Sequence, residues 1–173
     1  DRTRQCIYAG DVKQKPDSLS GLKTKGYLSE SNILQPLPNT LIKKTITITA
    51  SAHEVWRVFT DPKVTMLMGG HYVSSWKKGE SLQWKGDDGK LYSYGIILEL
   101  EPDKLLKHSL YDMKTKERIT STITYRFEDM GKYTILHAEE ELAFDMRDDQ
   151  FEEALEGWDM ALDTVKEIAE RKN

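Results

Sequence analysis

The strongest periodic signal in the chain lies near its C-terminal end. Phe151, Ala154, Leu155, Trp158, Ala161, Leu162, Val165, Ile168 and Ala169 recur at helical spacing. On an α-helix these positions form one apolar stripe. Glu152, Glu153, Glu156, Asp159, Asp163 and Glu167 fall on the opposite face. Acidic residues crowd the start of this segment and Arg171 and Lys172 close it, the arrangement a helix dipole favours. At ~1.5 Å per residue the predicted helix is about 35 Å long, enough to cross a small domain. Elsewhere the period is two. Ile42, Lys44, Ile46 and Ile48 alternate with Lys43, Thr45, Thr47 and Thr49, which predicts a half-buried strand.

Between that strand and the next run of alternation come two short helices. Ser51 followed three residues later by Glu54 is a capping box, in which each side chain satisfies a backbone donor of the other. Ala52, Val55, Trp56 and Phe59 then follow at helical spacing. Asp61-Pro62 ends this helix and starts another, with Asp61 as cap and Pro62 in the first position. Val64, Met66, Leu67 and Met68 suit the second helix, which Gly69-Gly70 stops.

From His71 to Leu142 the pattern is a run of strands. Tyr72, Ser74 and Trp76 alternate, Lys78-Gly79 turns, and Leu82-Gln83-Trp84 is a short strand. Gly86-Asp87-Asp88-Gly89 is a hairpin turn. Tyr94, Ile96, Leu98 and Leu100 share one face of the next strand, with Gly95, Ile97, Glu99 and Glu101 on the other. After the Pro102-Asp103 turn, Leu106, His108 and Leu110 point inward, although Leu105 leaves a second parity open. Ile119, Ile123, Tyr125 and Phe127 line one face of a threonine-rich strand. Beyond the turn at Asp129-Met130-Gly131-Lys132, Leu136, Ala138 and Leu142 alternate in a final strand. Consecutive strands joined by tight turns imply an antiparallel meander. The expected architecture is α+β: a curved antiparallel sheet of about six or seven strands around the long C-terminal helix, spanning 39–173.

Residues 1–38 differ from the rest. Asp11 to Lys25 is rich in Lys, Ser and Asp without sustained periodicity, and reads as a loop-rich N-terminal arm. Its Leu28, Ile33 and Leu34 are candidates to pack on the domain or on a neighbouring chain. The net charge of −4, with both signs interspersed, excludes the clustered basic footprint of a nucleic-acid binder. No apolar run approaches the ~20 residues that span a bilayer. A single cysteine, Cys6, cannot form an internal disulfide, which favours a reducing, cytoplasmic setting.

Three motifs carry a resemblance. They are Ala52-His53-Glu54-Val55-Trp56-Arg57-Val58-Phe59-Thr60-Asp61-Pro62, Gly95-Ile96-Ile97-Leu98-Glu99-Leu100-Glu101-Pro102, and Gly157-Trp158 followed by Leu162. Together with the element order they resemble the helix-grip superfamily of START-like (SRPBCC) domains, birch-pollen-allergen-like proteins and polyketide cyclases. More narrowly they resemble the activator of heat-shock-protein-90 ATPase homologue family. The resemblance covers about residues 40–171. The segment Lys107-His108-Ser109 departs from the aromatic strand usual in that family. What the resemblance implies is a cavity between sheet and helix, or a contact surface for a chaperone or other protein.

The candidate cavity residues are Trp56, Phe59, Trp76, Trp84, Tyr94, Ile96, Tyr125, Trp158 and Leu162. Such residues either fill a core or line a mainly apolar ligand site. His108 and Glu140, on inward parities, are candidates for a catalytic acid and base tuned by burial. His53, His71, His108 and His137 lack metal-ligand spacing, so no metal site is expected, and no cofactor motif is present. Gly157 costs the long helix about 1 kcal/mol relative to alanine, which points to close approach of a strand or to cavity space. Three functions follow: non-enzymatic binding of a small hydrophobic or aromatic molecule, a protein-interaction module like a co-chaperone, or a cyclase- or hydrolase-like enzyme. The chain would act as a monomer or homodimer.

Overall fold

The computed structural model describes residues 39–171, so the expected arm at 1–38 lies outside the described residues. Strand β1 (Leu41–Ile48) buries Ile42 and Ile48, as its alternation requires. The capping box forms: the Glu54 backbone N–H donates to Ser51 Oγ at 3.2 Å, and the Ser51 N–H donates to Glu54 Oε2 at 3.0 Å. Helix α1 (Ala52–Thr60) follows and buries Ala52, Val55, Trp56, Val58 and Phe59. Asp61 closes it and caps α2 (Pro62–Thr65), accepting from the Lys63 N–H at 3.1 Å. The Arg57 guanidinium bonded to Asp61 holds that carboxyl below its ordinary range. A single 3₁₀ turn (Met66–Met68) leads to Gly69, whose φ of 89° needs glycine.

Six strands then run in sequence: β2 (Gly70–Val73), β3 (Ser81–Gly86), β4 (Leu91–Glu101), β5 (Leu105–Tyr111), β6 (Ile119–Asp129) and β7 (Thr134–Leu142). They make one seven-stranded sheet in the order β1-β7-β6-β5-β4-β3-β2, antiparallel throughout. The first strand thus returns to pair with the last. Helix α3 (Asp148–Glu170) packs against β1 and α1. Polar clamps fix it there: Lys44 Nζ meets Asp159 Oδ1 at 2.7 Å, and Lys166 Nζ donates to the Thr47 carbonyl at 2.8 Å. Among the described residues no helix is long and apolar enough to cross a membrane.

Three strand expectations need correction. In β4, Ile97 pairs with His108 and Glu99 with Lys107, so Leu98 is an extra residue. Such a bulge shifts parity by one. Gly95 and Ile97 therefore face the core before it, and Leu100 faces the core after it. Tyr94 and Ile96 lie on the outer face, not in the interior. Strand β2 stops at Val73, short of the expected alternation through Trp76; Trp76 adopts a left-handed φ of 54° and packs on the core from a loop. Ile119 is exposed, because the register between β5 and β6 slips at Leu110/Tyr111.

Candidate functional site

The sheet register sets one row of side chains on the core face of the sheet. Across β1, β7, β6, β5 and β4, the partners are Ile42, Glu140, Ile123, His108 and Ile97. Their exposures are 1%, 0%, 5%, 2% and 0%, so two ionisable groups sit in an apolar row. His108 and Glu140 flank Ile123 from opposite sides. With strands about 4.8 Å apart, their backbones stand roughly 10 Å from one another. The sequence-derived acid–base pair is thus buried on one face but not joined by a hydrogen bond.

Glu140 is tied to the helix. Its Oε2 accepts from the Trp158 indole N–H at 2.7 Å. Oε1 is buried without a hydrogen-bond partner among the described residues. Burial pushes the carboxyl up from its ordinary range, opposed by the Trp158 bond and by the nearby Ser121 hydroxyl.

His108 has the same half-satisfied character. Its Nδ1 lies 3.1 Å from the Ser109 carbonyl oxygen. A carbonyl only accepts, so Nδ1 carries the proton and Nε2 presents a bare lone pair. That Nε2 is buried and unpartnered among the described residues. Burial lowers the imidazole to about 4, which keeps it neutral at neutral pH.

Aromatic rings fill much of the surroundings. The His108 ring stacks on Tyr125 at 6.4 Å between centroids, and Tyr125 meets Trp158 at 5.9 Å and Phe59 at 4.8 Å. Trp56 packs edge-on against Phe127 at 5.3 Å. A second group joins Tyr72 to Trp84 and Trp76. Burial, Tyr72 and Glu140 together raise the Tyr125 phenol well above its usual range.

Of the residues expected to line the interior, Trp56, Phe59, Trp84, Tyr125, Trp158 and Leu162 are buried in one core cluster, and Trp76 packs against it. Tyr94 instead meets Tyr111 at 5.7 Å on the outer face, with Lys116 Nζ 5.5 Å from its ring centre. Tyr72 and Ser121 were not among the candidates. Both follow from strand parity, Ser121 lying two positions before the inward Ile123. Gly157 has open space where a Cβ would stand, so no strand approaches it; the close approach occurs at Gly95, whose Cβ would collide with the Ser109 carbonyl. No cluster of three or more His, Cys, Asp or Glu suited to a metal occurs among the described residues.

A long helix laid over a bent antiparallel meander, with two short helices after the first strand, defines the START-like helix-grip class. Residues 49–170 match the family described as Activator of Hsp90 ATPase homolog 1-like protein, and the chain belongs to that family. Among solved structures it is similar to CalU16 from Micromonospora echinospora, with 23% identity, a TM-score of 0.60, and coverage of 75% of this chain and 76% of that one. It is similar to protein MLL2253 from Mesorhizobium loti at 19% identity and TM-score 0.61, covering 77% and 98%. The Aha1 dimer from Colwellia psychrerythraea aligns at 15% identity and TM-score 0.62, covering 75% and 96%. These likenesses concern the fold. No curated protein sequence matches the chain.

Proposed function

We propose that the protein binds a small hydrophobic or aromatic molecule between the sheet and the C-terminal helix, without chemical turnover. The observation that carries this reading is the pair of half-satisfied polar groups in an aromatic interior, His108 Nε2 and Glu140 Oε1. A buried polar atom left without a partner costs about 1–3 kcal/mol. An interior that bears two such atoms is suited to an occupant that completes them, and ligand sites commonly combine apolar walls with a few polar groups. Catalysis by the same pair has less support. A neutral imidazole held at about 4 is a weak base, and His108 and Glu140 are separated by Ile123. The proposed setting is the cytoplasm, in keeping with a single cysteine. Differential scanning fluorimetry against a library of aromatic and aliphatic compounds tests the reading. A ligand of the native state must raise the melting temperature, by a margin that grows with its concentration. If no compound does so at saturating concentration, the reading fails.

Family membership and surface chemistry favour a second reading, a protein contact. Met66, Leu67 and Val73 are exposed, and the elements that carry them touch. Self-association through this patch would appear in sedimentation velocity as a concentration-dependent dimer that Leu67→Asp abolishes. A monomer at every concentration would remove the homodimer.

A further inference from the structure

The direction of the two unfinished hydrogen bonds selects the chemistry of the occupant. His108 donates through Nδ1 to the Ser109 carbonyl, so its free Nε2 only accepts. Glu140 already receives the Trp158 N–H on Oε2, and its free Oε1 accepts whenever the carboxyl is ionised. Both atoms belong to side chains with at most 2% exposure, and they stand on either side of Ile123 in one row. No Lys or Arg is among the buried described residues, so no buried side chain with a permanent positive charge faces this pair.

Resting on the binding function proposed above, we infer that the site takes neutral or cationic molecules that offer hydrogen-bond donors, such as phenols and amines, and discriminates against carboxylates. The rings around the pair, Tyr125, Trp158 and Phe59, suit a flat apolar body. A hydroxyl or amine hydrogen completes Nε2 or Oε1. A carboxylate brings two more acceptors and a negative charge toward a lone pair and a carboxyl group. It could enter only with a proton taken up by His108 or Glu140, and its binding would then strengthen as the pH falls.

Matched probes on one skeleton test this: biphenyl, para-hydroxybiphenyl, para-aminobiphenyl and biphenyl-para-carboxylate, titrated calorimetrically into the full chain at neutral pH. The expected result is that the hydroxyl and amino compounds bind about tenfold or more tightly than the carboxylate, the scale of one completed buried hydrogen bond. In Glu140→Gln the Trp158 N–H still claims the side-chain oxygen, which leaves the amide NH₂ as a donor in place of Oε1. The gap between hydroxyl and carboxylate compounds should then narrow. A carboxylate that binds the native protein as tightly as the phenol overturns the inference and leaves small-molecule binding standing. Four equal affinities do the same. If none of the four binds, and no compound raises the melting temperature in the wider screen, both fall together.

Discussion

The donor that bonds Glu140 most closely comes from another element, the Trp158 indole, with the Ser121 hydroxyl nearby. Trp158→Phe keeps an aromatic ring but removes that donor, leaving only the Ser121 hydroxyl beside the carboxyl. We expect a loss of about 3 kcal/mol or more in urea denaturation, since an uncompensated buried ionisable group adds to the lost packing. Replacing Glu140 by Leu in the same background should recover much of it, and additive losses would show that the bond contributes little. The histidine makes a pH prediction. His108 sits at about 4 when folded against 6.5 as its ordinary value, so between those values the unfolded chain binds a proton that the native one does not. Its contribution is therefore full above 6.5 and is lost as the pH falls to about 4, up to about 3 kcal/mol. Glu140 acts with opposite sign: a raised carboxyl favours the fold at low pH and loses that effect as the pH rises through its folded value. Denaturation at several pH values should show a shallower acid-side loss in His108→Gln than in the native protein. An unchanged slope would mean that the imidazole is not shielded.

At the scale of elements, the two short helices and α3 were legible because their signals are local. A capping box, an Asp-Pro junction and a stripe of nine apolar positions each fix a helix without reference to the rest of the chain. Strands β1 and β7 were legible for a related reason: their inward and outward positions alternate without interruption. The part of strand β4 before Leu98 was inverted by that one extra residue, and no composition signal marks it. The two glycines show the same divide. Gly157 lies in a helix with open space at its Cβ position, so Gly157→Ala should stabilise by about 1 kcal/mol through helix propensity alone. Gly95→Ala should cost about 3 kcal/mol or more, because its Cβ would fall 1.8 Å from the Ser109 carbonyl oxygen. Thermal melts of both variants check this pair, and a harmless Gly95→Ala would contradict the close approach of β4 and β5.

For the whole molecule, β1 joins the far edge of the meander by pairing with β7, and that pairing carries Ile42 to the side of Glu140. Family membership follows from residues 49–170, while the solved structures named above, at 23% identity or less, show a shared fold. The sequence by itself determined which segments are helices and strands, that the sheet is an antiparallel meander, and that a long amphipathic helix needs a surface to cover. Periodicity is a property of neighbouring residues, so a single chain suffices to read it. Tertiary structure alone decided that Tyr94 and Ile96 face outward, that His108 and Glu140 are separated by Ile123, and that each keeps one polar atom without a hydrogen-bond partner among the described residues. Those facts depend on register across several strands and on how the following helix sets Trp158 against the sheet. Pairing of that kind is set by contacts between residues far apart in the chain.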